Sequence, residues 1–124
     1  MWTLFRTGCG ESVVDNVGSG GIISLVDSTG VIVSDGMRAD HYYTVHPDSG
    51  IRFCGYQIPD WNSLCELAEK AHRTMPNQCV FGWDFAWSDA GWELVEVNSS
   101  PAPDSYQILA KTGIRPIFEA VGIL

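Results

Sequence analysis

Lysine is nearly missing from this 124-residue chain: only Lys70 and Lys111 are present, and basic side chains number 7 against 15 Asp and Glu. The resulting formal charge of −8 repels a phosphate backbone and excludes nucleic acid as a large-scale partner. An acidic chain can still take a nucleotide when a divalent cation neutralises phosphate and carboxylate together. No apolar run approaches the ~20 residues that span a bilayer. The opening Met-Trp-Thr-Leu-Phe-Arg has neither the apolar h-region nor the small-residue cleavage site of a signal peptide. No membrane partner is expected. The four cysteines, Cys9, Cys54, Cys65 and Cys79, include no C-x-x-C pair, so they carry no zinc or redox motif. Free thiols in a reducing cytoplasm are the expected state. There is no internal repeat, no low-complexity tract and no linker.

What the chain does have is apolar and aromatic surface: 45% apolar residues, with five Trp, four Tyr and five Phe, enough for the modest core of one small domain. Thirteen glycines and six prolines imply many turns. Trp2 to Thr7 reads as a strand. The Gly-rich stretch Asn16-Val17-Gly18-Ser19-Gly20-Gly21 feeds a β-branched run, Ile22 to Asp27, which turns at Ser28-Thr29-Gly30 into Val31-Ile32-Val33 as a β-hairpin. Residues 36–59 read as irregular strands and loops. Between Asp60 and Met75 the apolar positions Trp61, Leu64, Cys65, Ala68, Ala71 and Met75 fall at helical spacing, with Asp60 as N-cap and Pro76 closing the segment. A second helix is expected from about Asp104 to Thr112, then an apolar tail from Ile114 to Leu124.

The chemistry is concentrated in Val80 to Asn98. Period-two alternation puts Phe81, Trp83, Phe85 and Trp87 on one face of the first strand and Gly82, Asp84 and Ala86 on the other. On the second strand it separates Val95 and Val97 from Leu94, Glu96 and Asn98. A three-residue loop, Asp89-Ala90-Gly91, would pair Ser88 with Trp92. Counting back sets Asp84 across from Glu96 and Asn98 across from Gly82, so a shallow pocket floored by small residues is expected. Facing carboxylates destabilise a ladder unless a cation intervenes, and Asp, Glu and the Asn amide oxygen are hard ligands suited to Mg²⁺ or Mn²⁺. The bland alternative, a solvated acidic face, stays open on spacing alone. His41, His46 and His72 show no paired ligand spacing and are read as structural or surface residues. Trp83 and Trp87 are assigned to core packing rather than to a sugar platform.

Gly82-Trp83-Asp84-Phe85-Ala86 followed by Leu94-Val95-Glu96-Val97-Asn98-Ser99-Ser100-Pro101 resembles the metal-binding signature of the ATP-grasp superfamily. In that signature an Asp on one strand and a Glu-x-Asn followed by Pro on the next hold magnesium ions that bridge ATP phosphates. Phe5-Arg6-Thr7, Asn16 to Gly21, Val26 to Gly30, His46-Pro47-Asp48-Ser49-Gly50 and Ile58-Pro59-Asp60-Trp61 look like one branch of it, the sugar-transfer-associated ATP-grasp domain. The resemblance covers most of the chain.

The resemblance implies an α+β fold, a mainly antiparallel sheet with helices packed on one face, corresponding to the C-terminal ATP-grasp subdomain. It implies ATP and Mg²⁺ (or Mn²⁺) as cofactors and ligation of a small carboxylate to an amine through an acyl phosphate. Asp84, Glu96 and Asn98 would ligate the metal, and Arg6 would neutralise phosphate. Asn16 and the backbone amides of Gly18, Ser19, Gly20 and Gly21 would line the phosphate and acceptor side. Such enzymes take phosphate-binding lysines and the adenine segment from a preceding subdomain, and neither Lys70 nor Lys111 matches one by motif. Residues 1–124 are therefore expected to be a partial domain, with a preceding subdomain or a second chain completing the site and little activity alone. The alternatives are a noncatalytic metal- or nucleotide-binding module and a carbohydrate-interaction module.

Overall fold

The computed structural model describes residues 1–11, 20–75 and 77–123. Among the described residues nine elements follow one another: β1 (Thr3–Thr7), β2 (Ile22–Val26), β3 (Gly36–Arg38), β4 (His41–Tyr43), α1 (Trp61–Arg73), β5 (Gly82–Ser88), β6 (Gly91–Asn98), α2 (Asp104–Ala110) and α3 (Arg115–Ala120). The α+β class expected from the sequence is the class observed. The strands divide into two antiparallel sheets, one of order β1-β2-β3-β4 and one of β5 and β6. Two compact units result: residues 1–58 with 104–113, and residues 59–103 with 114–124.

The first unit is organised around β2, whose Ile-Ile-Ser-Leu-Val sequence is buried at every position but Leu25. A strand covered on both faces loses the polar alternation of a half-wet sheet and becomes a nearly continuous apolar run. β1 pairs with it along five positions, from Thr3 opposite Val26 to Thr7 opposite Ile22, and β3 joins at Ile23 opposite Met37. Ile22, Ile23, Val26, Ile32, Met37, Phe53 and Ile58 form the core. Each such side chain contributes roughly 1.5–3 kcal/mol by leaving water. Gly36 admits the closest packing here: a Cβ at this position would lie 2.6 Å from Ile22 Cγ2 and 2.7 Å from Phe53 Cε2. α2 packs against β2, and Trp2 meets Tyr106 with ring centroids 6.0 Å apart.

The expected turn at Ser28-Thr29-Gly30 is present, closed by Asp27 N–H donating to Val31 O at 2.9 Å and Gly30 N–H to Asp27 O at 3.1 Å. Its second arm forms no extended strand: Ile32 bridges Val26, and Val31 bridges Gln57. The irregular stretch 36–59 contains the three-residue strands β3 and β4, too short for an alternation to show in sequence.

In the second unit α1 forms where the helical spacing placed it. Asp60 occupies the N-cap position but does not cap: its φ of 46° is left-handed and no side-chain cap bond forms, because Oδ1 accepts from Ser63 Oγ at 2.8 Å instead. Lys70, His72 and Arg73 complement the helix dipole in the last turn. His72 meets Phe81 and Trp83 edge-on at 5.7 and 6.3 Å, so α1 lies against the aromatic face of β5. Trp92 Nε1 donates to Pro59 O at 2.8 Å and ties β6 to the residue before Asp60. The expected tail after Ile114 is the helix α3, with Pro116 in its first turn and an Arg115–Glu119 ion pair at 2.7 Å.

Candidate functional site: the carboxylate face of the β5–β6 hairpin

Asp84 stands opposite Glu96, and Gly82 opposite Asn98, in the ladder that joins β5 to β6. The route to that register differs from the count made on the sequence. Gly91 does take the left-handed conformation, φ 98°. Ser88, however, pairs with Gly91 and Trp87 with Trp92, one residue out of the expected step. The offset continues to Phe85 opposite Leu94, and an irregularity between Asp84 and Phe85 then leaves Val95 as an extra residue on β6. This bulge restores the expected pairs from Asp84 onward.

The bulge also redistributes the faces. Residues opposed in an antiparallel ladder share a face, so Leu94 joins Phe85 on the aromatic side rather than Glu96 and Asn98. Glu93 takes its place, opposite Ala86 on the carboxylate side, and accepts a hydrogen bond from Ser88 Oγ at 3.1 Å. Strict alternation would put Glu93 on the opposite face from Glu96. A bulge has no signature in this run of residues, so nothing in the sequence marked Glu93.

Gly82 lacks a side chain for a reason the sequence did not give. A Cβ there would lie 2.9 Å from Pro101 Cβ and 3.5 Å from Asn98 Cβ. The expected pocket floor is therefore covered by the bend after Asn98, which folds back over Gly82. Gln78 Nε2 holds the same bend, donating to Ser99 O and, at 3.0 Å, to Val80 O. Asn98 is thus fixed between a pinned turn and its ladder partner. Asp84 is half-buried, whereas Glu96 and Asn98 are exposed.

Asp84 and Glu96 occupy facing positions, whose Cβ atoms are typically about 4.5–5.5 Å apart, and Asn98 stands two residues further along β6 on the same face. The donor set fits Mg²⁺ or Mn²⁺. Among the described residues there is no group of three or more His, Cys, Asp and Glu able to hold a metal ion. The hairpin supplies two carboxylates, and its third donor is an amide, so the arrangement suits an ion that keeps water or phosphate oxygens in its remaining positions. A concavity of about 230 Å³ in the same unit is lined by Thr74, Met75, Asn77, Gln78 and Phe81, and none of the three candidate ligands borders it.

The other candidates belong to the first unit. Arg6 is exposed on β1, opposite Ile23. Gly20 has φ 95°, and Gly21 is buried immediately before β2. Asn16, Gly18 and Ser19 lie outside the described residues. Trp83 is half-buried against His72, but Trp87, assigned to the core from the sequence, is 51% exposed and contacts Trp92 with ring centroids 5.1 Å apart. Its position beside the loop leaves it beyond the cover of α1.

A family model described as sugar-transfer associated ATP-grasp matches residues 1–122. The chain belongs to this family. Membership of the sugar-transfer associated ATP-grasp family makes it an ATP-grasp-type, nucleotide-binding domain. It also gives the carboxylate hairpin a context that spacing could not. No curated protein and no solved structure matches the chain. No helix among the described residues is long and apolar enough to cross a membrane.

Proposed function

We infer that residues 1–124 form the metal- and phosphate-facing part of an ATP-dependent ligase that joins a carboxylate to an amine. In this reading a substrate carboxylate oxygen attacks the γ-phosphorus of ATP, giving an acyl phosphate and ADP. The amine then attacks the acyl carbon, phosphate leaves with the C–O bonding pair, and the nitrogen gives up a proton to the departing phosphate or to water. The observation that carries the reading is the opposition of Asp84 to Glu96, with Asn98 opposite Gly82 two residues along the same strand.

Asp84, Glu96 and Asn98 would hold Mg²⁺ or Mn²⁺, which supplies charge neutralisation at the phosphates when bound. Arg6 offers a guanidinium to phosphate or acyl phosphate oxygens. Within the first unit the amides of Gly20 and Gly21 would be further donors to an anion; Asn16, Gly18 and Ser19, given the same role from the sequence, lie outside the described residues. Chemistry of this type needs positioning and electrostatics more than covalent participation by the protein. With only Lys70 and Lys111, neither at a motif position, phosphate-binding lysines are expected from a preceding subdomain or a second chain. Alone, residues 1–124 are then a weak binder and a poor catalyst.

Calorimetry with Mg²⁺ and ADP tests this. Wild type is expected to show weak, metal-dependent binding, and Asp84→Asn or Glu96→Gln to weaken it about tenfold or more. Unchanged affinity in both variants removes the assigned site. The exposure of Trp87 favours a second reading, a carbohydrate-interaction surface. Tryptophan fluorescence distinguishes the two, since quenching by oligosaccharides but not by Mg-ADP supports the second.

A further inference from the structure

Three side chains from one stretch of the first unit converge on three successive residues just after β1. His46 Nε2 lies 2.9 Å from Gly8 O, Arg38 Nη1 2.8 Å from Cys9 Sγ, and Asp48 Oδ2 accepts from Gly10 N–H at 2.7 Å. The His46 and Asp48 tethers each span 38 residues of sequence. Gly10 takes φ 68°, a left-handed turn held open for the Asp48 contact. Asp48 is itself anchored by His46, because His46 Nδ1 receives the Asp48 and Ser49 amides at 3.2 and 3.4 Å. Gly50 N–H donating to His46 O at 2.8 Å, and His46 N–H to Ile51 O at 2.8 Å, complete a closed turn. The buried Phe53 ring lies 6.0 Å from the imidazole.

A carbonyl only accepts and an amide only donates, so these contacts define the ring. Nε2 carries the proton toward Gly8, and Nδ1 is the bare acceptor. One imidazole therefore does two separable things: it closes its own turn through Nδ1, and through Nε2 it holds a segment remote in sequence. The second task has no bearing on the His46–Ile51 turn.

We propose that His46 and Asp48 are positioning residues that fix Gly8 to Gly10, the stretch that directly follows the end of β1, and so hold Arg6 in place on the first unit. This rests on the reading of Arg6 as an anion contact.

Two substitutions of His46 in the full chain separate the roles. In His46→Asn the amide oxygen takes the place of Nδ1 and keeps the turn, but nothing reaches Gly8. In His46→Gln the longer side chain presents an amide N–H to Gly8 O. Amide exchange at residues 8–11 and Mg-ADP affinity by calorimetry are read for both, with Asp48→Ala as a third variant. His46→Asn and Asp48→Ala are expected to speed exchange at Gly10 while residues 46–51 keep their protection, and to weaken Mg-ADP binding about fivefold, the factor that one hydrogen bond's typical net contribution corresponds to. His46→Gln is expected to restore both. Unchanged exchange at residues 8–11 in His46→Asn overturns the clamp. Faster exchange with unchanged affinity overturns its positioning role. Absence of Mg-ADP binding in wild type sinks the nucleotide reading, and the positioning role with it, while the exchange data still decide whether the clamp exists.

Discussion

Asp27 shows how one side chain fixes a turn. Its Oδ1 accepts from Thr29 Oγ1 at 2.7 Å and from the Thr29 and Val31 amides at 2.8 and 3.1 Å. The Thr29 hydroxyl first, and then the backbone amides, hold the carboxyl below its ordinary value of 3.8. A carboxylate whose pKa is depressed on folding stabilises the native state above its unfolded pKa and loses that contribution as pH falls through the folded value. The urea midpoint of Asp27→Ala is therefore expected to lie below that of wild type at neutral pH, and the gap to close as the pH is lowered past 3.8. A gap that stays constant down to about pH 2 would contradict this account of the turn. The Asp27 side chain was legible as part of a Val-Asp-Ser-Thr-Gly turn because Asp and Gly have local reasons to be there. Asp60 takes the N-cap position expected of it, but makes no side-chain cap bond. Its backbone turned left-handed and its carboxylate found Ser63, a choice that residue preferences do not encode.

At the scale of elements, the β5–β6 hairpin was legible in outline and not in detail. Alternation identified both strands, and the facing pair Asp84 and Glu96 came out as expected. It did so because two departures cancel: the loop pairs Ser88 with Gly91, and Val95 is inserted to compensate. Alternation assigns β6 correctly only from Glu96 to Asn98, since the bulge flips every β6 residue on its loop side. That is why Glu93 was missed and Leu94 misplaced. α3 escaped notice because Ile114 to Leu124 is mostly apolar, although Pro116 near its start and the Arg115–Glu119 spacing were available signals. The role of Gly82 is a tertiary matter, visible only once Pro101 is seen against it. Gly82→Ala is expected to destabilise the chain by about 1–3 kcal/mol, because the obstacle is a proline ring rather than the end of a flexible side chain. Weaker Mg-ADP binding is expected with it, through displacement of Asn98. A denaturant titration with no loss of stability would show that the bend does not pack on Gly82 as described.

At the scale of the whole chain, the two units divide the work differently. The first holds every buried residue among those described, built on β2, and so accounts for most of the apolar stabilisation. The second holds the carboxylate hairpin on a helix, α1, that has no fully buried residue. Family membership extends over both, from residue 1 to 122. Individual strands and helices were readable from patterns of period 2 and 3.6, and the α+β class and the candidate ligands from the family resemblance carried by the hairpin motif. The division into two sheets was not, because strand order depends on long-range pairing that short, irregular strands such as β3 and β4 do not announce. The central claim is that Asp84, Glu96 and Asn98 share one cation. Adding Mn²⁺ with ADP to the isotopically labelled chain and mapping paramagnetic broadening of its amide resonances tests it directly. The account expects the strongest broadening at Gly82 to Asp84 and at Glu96 to Asn98. Broadening centred elsewhere, with these residues unaffected, would contradict it.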